Sequence, residues 1–379
     1  MVTRVLWVLL ALILCLPLVH VAIEEWGPKE AVDFNSAAWK ARADLVARAR
    51  VFVASPPAIA TLDLSRTPND PDPIDPSAAV ECRYVPKPVS ATTAKFDCRL
   101  PDGDIVKVKY GWTPEKSGEV ATTRLLAALG FGADHVTLVP RLRCLGCPPF
   151  PFEMRRIAEA FFAAPLLDWV IPDNYSREFT WVSVERKMAG RVIEVDPHEG
   201  WDWRELPTVD AANGGATRAE LDALRLMAVF LSHWDNKATN QRLVCEEGEG
   251  GDDPTAQCRT PLLMLQDVGA TFGPGKVKHD EWAASPIWAD PVTCVVSLET
   301  MPYHGGNFTR TEISNAGRLL LAGKLAHLSE AQIRALFQSA RFPDPASGDV
   351  TGDVDAWVRT FQDKVRQIAD RRGCPSLPD

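Results

Sequence analysis

The chain has 379 residues, a formal net charge of −9 and 46% hydrophobic residues. That hydrophobic content is too high for a disordered chain. The acidic balance does not suit a basic surface for nucleic acid, so we expect no nucleic-acid partner. The length allows two or three domain-sized units, or one two-lobed domain with extensions.

An apolar segment follows Arg4 and covers residues 5–22, with His20 as its one strongly polar member. One positive charge followed by an apolar stretch is typical of an export signal. The segment is also long enough for a membrane anchor, and His20 stands where cleavage after Ala22 would need a small residue. We expect residues 1–22 to be a signal peptide or an N-terminal membrane anchor, with the rest exported to the periplasm or cell envelope.

Cysteine usage supports export, because eight of the nine cysteines lie beyond the apolar segment. An even number of cysteines in an exported chain predicts disulfides. Closeness in sequence suggests three pairs and leaves two cysteines for a fourth: Cys82–Cys98, Cys144–Cys147, Cys245–Cys258 and Cys294–Cys374. Sequence alone does not settle the pairing. Half of a zinc site is the alternative for the CxxC motif, although no second CxxC or HxxxH motif completes it.

The first predicted elements belong to an N-terminal extension over residues 23–79. An alanine-rich stretch over 35–53 predicts a helix. Six prolines and several aspartates over 56–77 predict an extended linker or a wrapping arm.

Residues 80–188 form the predicted strand-rich lobe. KFDCRL and IVKVKY flank PDGD, which predicts two strands joined by a tight turn at Asp102-Gly103. A helix from Glu119 to Leu129 follows, with Ser117 as its N-cap. Two more strands are predicted over 136–143 and 179–188.

Helices dominate the predicted second lobe, residues 189–379. Apolar periodicity predicts helices over 218–233, 312–327, 329–340 and 354–371. Two short apolar strands, 241–245 and 261–266, flank an acidic, turn-rich loop. The order of elements predicts an α+β chain with a strand-rich first lobe and a mostly helical second lobe.

One constellation of side chains carries chemistry. The segment HWDNKATN over 233–240 follows an apolar helix and precedes a strand, and Asp267-Val-Gly269 follows the partner strand. Asp235, Asn240 and Asp267 are therefore expected to meet at one mouth of this hairpin. Carboxylate and amide oxygens suit a hard cation held together with phosphates.

These motifs resemble the catalytic core of the protein-kinase-like superfamily, which carries H-x-D-x-K-x-x-N and D-x-G. The resemblance implies a two-lobed kinase-like fold that uses ATP with Mg²⁺ or Mn²⁺. It makes Asp235 the base, Lys237 a lysine near the transferring phosphate, and Asn240 and Asp267 the metal ligands. Trp234 replaces a common kinase arginine, so phosphorylation of an activation loop is not expected to be the switch. Within this superfamily, the chain resembles the atypical branch that contains HipA-like, phosphatidylinositol-kinase-like and secretory-pathway kinases.

The resemblance extends to the first lobe, where a kinase needs a strand lysine and a helix glutamate. Lys107 and Lys109 point to the same strand face, and Ile105 before Lys107 favours that lysine. Glu119 is the expected partner, with Glu115 as the runner-up.

Two further segments of this lobe resemble nucleotide-binding parts. Residues 90–95, ending in Lys95, look like the phosphate loop of HipA-like kinases, although Ala91 replaces a glycine. The strand ending in Glu185–Lys187 would be the hinge that meets adenine.

The sequence thus predicts an exported kinase-like phosphotransferase that binds nucleotide and transfers phosphate to an unidentified protein, lipid or small molecule. A kinase-fold binding or scaffold protein without catalysis is the first alternative. The second is a disulfide-stapled envelope protein in which the motif matches are accidental. Intact Asp235, Asn240 and Asp267 speak against the second alternative.

Overall fold

The computed structural model describes residues 33–88, 92–246, 258–290, 292–299, 301, 306–342 and 353–377. The described residues form two compact units. The first contains residues 75–111 and 139–186, and the second contains residues 33–74, 112–138 and 187–377. Both units combine helices with strands, so the predicted α+β class is confirmed.

The described helices, in chain order, are α1 (Ala37–Ala47), α2 (Glu115–Ala128), α3 (Pro151–Ala160), α4 (Ala164–Val170), α5 (Arg218–Phe230), α6 (His279–Ala284), α7 (Asn315–Ala326), α8 (Glu330–Ser339) and α9 (Val354–Ala369). The described strands are β1 (Ala79–Val85), β2 (Lys95–Arg99), β3 (Ile105–Lys109), β4 (His135–Leu145), β5 (Ser176–Arg186), β6 (Arg191–Val192), β7 (Gln241–Cys245), β8 (Pro261–Leu265), β9 (Val295–Val296) and β10 (Thr311–Glu312). Among these described elements, no helix combines the length and the apolar character needed to cross a membrane.

A closed five-stranded barrel, ordered β1-β2-β3-β5-β4, is the centre of the first unit. Neighbouring strands are antiparallel from β1 to β5, whereas β1 and β4 run parallel. The predicted hairpin is confirmed: β2 and β3 pair Asp97 with Lys107, and Gly103 takes the positive φ of 100° that the turn requires. Phe96, Tyr110 and Phe179 pack with ring centroids 5.1–5.7 Å apart, which supplies aromatic bulk to the core of the unit.

Four disulfides join the cysteine pairs that the sequence suggested, Cys82–Cys98, Cys144–Cys147, Cys245–Cys258 and Cys294–Cys374. The first two lie side by side in the barrel, with the Sγ atoms of Cys98 and Cys144 3.7 Å apart. The third closes the predicted acidic loop, of which residues 247–257 lie outside the described part. Four disulfides are typical of a chain that matures in an oxidising compartment. The apolar segment 5–22 also lies outside the described residues.

The second unit surrounds a three-stranded sheet ordered β6-β7-β8. Strands β7 and β8 are buried along their full length, which explains why both read as unbroken apolar runs rather than alternating ones. Rings from α6, α8, α9 and nearby loops form a contiguous aromatic cluster consisting of Phe272, Trp282, Phe337, Phe342, Trp357 and Phe361. This cluster anchors the C-terminal helices.

The proline-rich arm packs onto the second unit. Leu64 is fully buried. The side-chain amide of Gln332 donates to the carbonyl oxygens of Ile59 and Leu62, at 2.8 and 2.9 Å. The arm is therefore a wrapping segment and not a free linker.

Two predicted helix boundaries are wrong. Helix α1 is shorter than 35–53, because Ser36 caps it and the chain leaves helical geometry before the Arg50–Leu262 bridge. Helix α2 begins at Glu115, not at Glu119, and Ser117 lies inside it rather than capping it. Pro114 already has helical φ and ψ, so the helix starts directly after it.

Candidate functional site

The loop after α5 is the centre of the candidate site. Ser232 takes a positive φ of 53° as the chain leaves the helix, and residues 233–240 lead into β7. The side-chain nitrogen of Asn240 donates to the backbone oxygen of Asp235 at 2.7 Å. This hydrogen bond links Asp235 and Asn240, the first and last candidate functional residues of the motif.

The hairpin register brings Asp267 next to this loop. Gln241 pairs with Leu265 across β7 and β8, and the backbone nitrogen of Gln266 donates to the oxygen of Asn240 at 2.9 Å. Asp267 is the next residue, and it takes a positive φ of 48°. The structure therefore places Asn240, which holds the backbone of Asp235, beside the segment that leads to Asp267.

The donor set suits a hard divalent cation. Asn240 is 5% exposed, and its amide nitrogen is committed to Asp235, so Oδ1 is the atom that would ligate. Asp267 carries its carboxylate two residues beyond the end of β8. Oxygen ligands of this kind, with phosphate oxygens completing the shell, are what Mg²⁺ accepts in proteins.

His233, the first residue of the motif, is fully buried. Neither ring nitrogen has a hydrogen-bond partner among the described residues. Burial lowers the pKa of His233 to about 4, against the opposing attraction of the Asp267 carboxylate. The imidazole is therefore neutral at pH 7, and it acts as a buried packing group.

Asp235 and Lys237 face each other within the loop, with Lys237 Nζ 3.6 Å from Asp235 Oδ1. That oxygen is buried and makes no hydrogen bond to the described part of the chain. A buried carboxylate oxygen without a donor is an unusual feature that an incoming hydroxyl could satisfy.

Asn236 fixes the loop, and sequence reasoning missed it. Its amide nitrogen donates to the carbonyl oxygens of His233 and Trp234, at 3.1 and 3.3 Å. Its oxygen accepts from the backbone nitrogen of Phe308 at 2.9 Å. A polar residue between two motif positions is the only sequence signal, since nothing marks Phe308 as its partner.

Gly200 supports the loop from below. Its φ is 69°, and a Cβ atom there would lie 2.1 Å from the Ala238 oxygen and 2.4 Å from the Gln241 oxygen. Only glycine permits this approach. Trp201 anchors the same segment, since its indole nitrogen donates to the Met264 oxygen on β8 at 3.2 Å.

Helix α2 packs against the D-x-G segment through a second close approach. A Cβ atom on Gly118 would lie 3.0 Å from the Gly269 oxygen, and Gly269 in turn faces Glu115. Glu115, the runner-up glutamate, forms an ion pair with Lys276. The start of α2 is thus tied to the segment that follows Asp267, a role for Lys276 that the sequence did not reveal.

The remaining predicted nucleotide residues divide between the units. In the first unit, Lys107 Nζ lies 2.5 Å from a carboxylate oxygen of Glu185, across β3 and β5. Lys109 is only 2% exposed, and it stands opposite Lys95 in the β2–β3 register. Lys95 opens a strand, and residues 89–91 of the expected phosphate loop lie outside the described part.

The other two predicted residues belong to the second unit. Glu119 is 2% exposed and lies in the second turn of α2. Lys187 follows the end of β5. Comparison of the chain with protein-family models and with curated proteins finds no match, so a functional proposal depends on the geometry of these residues.

Proposed function

We propose that the protein is a kinase-like phosphotransferase that uses ATP with Mg²⁺ or Mn²⁺. In this proposal the first unit corresponds to the strand-rich lobe and the second to the helical lobe. The observation that carries it is the closed loop in which Asn240 holds the backbone of Asp235 while its own backbone pairs beside Asp267. The bond from Asn240 to Asp235 keeps two of the three motif residues together, and the β7–β8 pairing leads to the third, Asp267, two residues after β8.

Asn240 and Asp267 would hold the cation, which supplies charge neutralisation to the nucleotide phosphates. Asn240 is nearly buried, and its amide nitrogen is bonded to the backbone of Asp235, so its side chain is already ordered. An ordered ligand loses little freedom when the cation binds, so Asn240 is suited to ligation.

Asp235 would orient or deprotonate the acceptor hydroxyl. Its Oδ1 is buried and makes no described hydrogen bond, with Lys237 Nζ 3.6 Å away, so it could accept a hydrogen bond from an acceptor hydroxyl. Lys237 lies close enough to neutralise charge on the transferring phosphate. The acceptor remains a protein, a lipid or a small molecule in this proposal.

Within the first unit, Lys107 and Lys109 are the two candidates for phosphate binding. Lys107 forms an ion pair with Glu185 on the neighbouring strand, and Lys109 is 2% exposed. Substituting each lysine with methionine separates the two assignments, because only the phosphate-binding lysine should weaken ATP binding strongly.

The test is calorimetric titration of the oxidised chain with ATP, with and without Mg²⁺ or Mn²⁺, followed by assays of phosphate transfer. Asp267→Asn should abolish metal-dependent binding. Asp235→Asn should preserve binding and lower kcat by about 10²–10⁴-fold, as expected for loss of a general base. Asp280→Asn, at an exposed carboxylate on α6, is the matched control and should change neither.

The outcomes separate the alternatives. Absence of binding to the wild-type chain at millimolar ATP contradicts the proposal. Metal-dependent binding that Asp267→Asn removes, with no transfer to water or to any acceptor, identifies a binding or scaffold protein without catalysis.

A further inference from the structure

Helices α3 and α4 of the first unit bury an ion-paired arginine and expose several large apolar side chains. Arg155 is 8% exposed, and its guanidinium binds Asp168 of α4 at 2.7 and 2.8 Å and Glu159 at 2.8 Å. Phe152 of α3 is buried, but Ile157 of α3 and the apolar residues Leu166, Trp169 and Val170 of α4 are exposed. Phe161 and Phe162, between the two helices, are exposed as well. A helix pair that met only water would place its apolar residues inward and its arginine outward.

The exposed residues form what we call the hairpin face, consisting of Ile157, Phe161, Phe162, Leu166, Trp169 and Val170. Trp169 is 81% exposed, Ile157 60% and Leu166 58%. Single exposed apolar residues are ordinary, but a cluster of this density in fourteen consecutive positions marks an interaction surface.

We propose that the hairpin face docks onto a phospholipid bilayer and inserts its apolar side chains at the interface. The chain carries an uncharged apolar segment over residues 5–22, and both of its expected roles, export signal and anchor, bring the protein to a membrane. Only ten residues separate this segment from Asp33, where the described chain begins. A protein partner has no comparable support in the chain.

Charge selects the kind of bilayer. From Phe150 to Tyr175 the chain carries four carboxylates and two arginines, so the face does not attract anionic lipid. Beside it, a pocket is lined by Tyr84 and by charges of both signs, Arg83, Asp168 and Asp173. A mixed lining of this kind matches a zwitterionic headgroup. Docking should therefore favour zwitterionic lipid and depend little on salt.

The experiment uses the full oxidised chain with phosphatidylcholine vesicles that contain a photoactivatable phosphatidylcholine, whose acyl chain forms a carbene on illumination. Trypsin releases residues 157–177 as one peptide that contains the whole hairpin face, and residues 319–324 as a control peptide with the exposed Leu319. Lipid adducts should concentrate on the first peptide and be nearly absent from the second. Raising the salt concentration should leave the yield unchanged.

The variant Leu166→Gln/Trp169→Gln should reduce adducts on its peptide by at least about ten-fold, because each change removes a large apolar side chain from the interface. Leu319→Gln should leave the adduct pattern unchanged. Both sets of positions are exposed, so disulfide mapping should show the same fold in each variant. Three results would overturn the proposal: adducts only within residues 1–32, adducts spread evenly over exposed apolar residues, or crosslinks that join the face to a second copy of the chain.

Discussion

His233 makes the stability of the second unit depend on pH. Its pKa is about 4 in the folded chain, against an ordinary value of 6.5 that the unfolded chain should show. Between these two values the unfolded state binds the proton and the folded state does not. The contribution of the neutral imidazole is therefore complete above about pH 6.5 and is lost as the pH falls toward 4.

We expect His233→Gln to reduce this pH dependence. Between pH 7 and pH 5 the wild-type free energy of unfolding should fall by about 2 kcal/mol more than that of the variant. Urea unfolding with the disulfides intact measures the difference at each pH. Equal losses in both proteins would mean that His233 becomes protonated without cost in the folded state.

Gly200→Ala should disrupt the candidate site, because the added methyl group would overlap the oxygens of Ala238 and Gln241. We expect a loss of about 3 kcal/mol or more in the free energy of unfolding. Gly214→Ala is the matched control, since φ is 88° there but no atom lies within 4 Å of the added Cβ. That control should lose only about 1–2 kcal/mol. Equal losses at both positions would show that conformation alone, and not contact with the loop, requires Gly200.

At the residue scale, the sequence shows the kinase-like spacing of Asp235, Asn240 and Asp267, but it does not show which residues hold this loop in place. Asn236 binds Phe308, which is 72 positions away. No local pattern encodes such a distant contact.

Helix α2 carries a glycine for a packing reason. Glycine in a helix interior costs about 1 kcal/mol relative to alanine, yet Gly118 lies where the helix meets Gly269 and Val277. Gly118→Ala should therefore lower the free energy of unfolding by about 1 kcal/mol and weaken metal-dependent ATP binding. Gly323→Ala on α7 adds a Cβ with no atom within 4 Å. This substitution should raise the free energy of unfolding by up to about 1 kcal/mol.

Unfolding curves and ATP titrations of the two variants give the comparison. If both substitutions raised the free energy of unfolding, the close contact between Gly118 and the D-x-G segment would not contribute to stability.

Elements with strong local signals were predictable. The hairpins β2–β3 and β7–β8 have turn residues or apolar runs that mark them, and both are confirmed. Strand β1 and helices α3 and α4 were not predicted. In α4 the large apolar residues Leu166, Trp169 and Val170 are exposed, and α3 buries Arg155 beside Phe152 while Ile157 is exposed. The apolar spacing that normally indicates the buried face of a helix is therefore misleading there.

The four disulfides let stability be compared over different loop lengths. Cys294–Cys374 closes a separation of 80 residues, and Cys245–Cys258 closes 13. In the chain-entropy account the longer loop should contribute about 1.5 kcal/mol more. Paired cysteine-to-alanine variants, compared by urea unfolding, test this. A larger loss from the shorter loop would indicate that local strain or packing dominates.

At the scale of the whole molecule, the order of the predicted elements indicated the α+β class, and closeness in sequence suggested the cysteine pairs. The division into two units was less accessible, because each unit is assembled from separated stretches of chain. Helix α2 belongs with the second unit although it follows β3 of the first. Long-range packing decides which unit α2 joins, and no local sequence pattern encodes that packing.

The wrapping arm has a consequence for the order of synthesis. Gln332, which binds the Ile59 carbonyl, is made 273 residues after it, and the backbone of Arg50 pairs with Pro261 and Leu263. The earliest part of the second unit therefore waits for its partners until most of the chain has been translated. Until then residues 33–74 lack these packing partners, and a chain that is still incompletely folded is the state that passage through a narrow membrane pore would require.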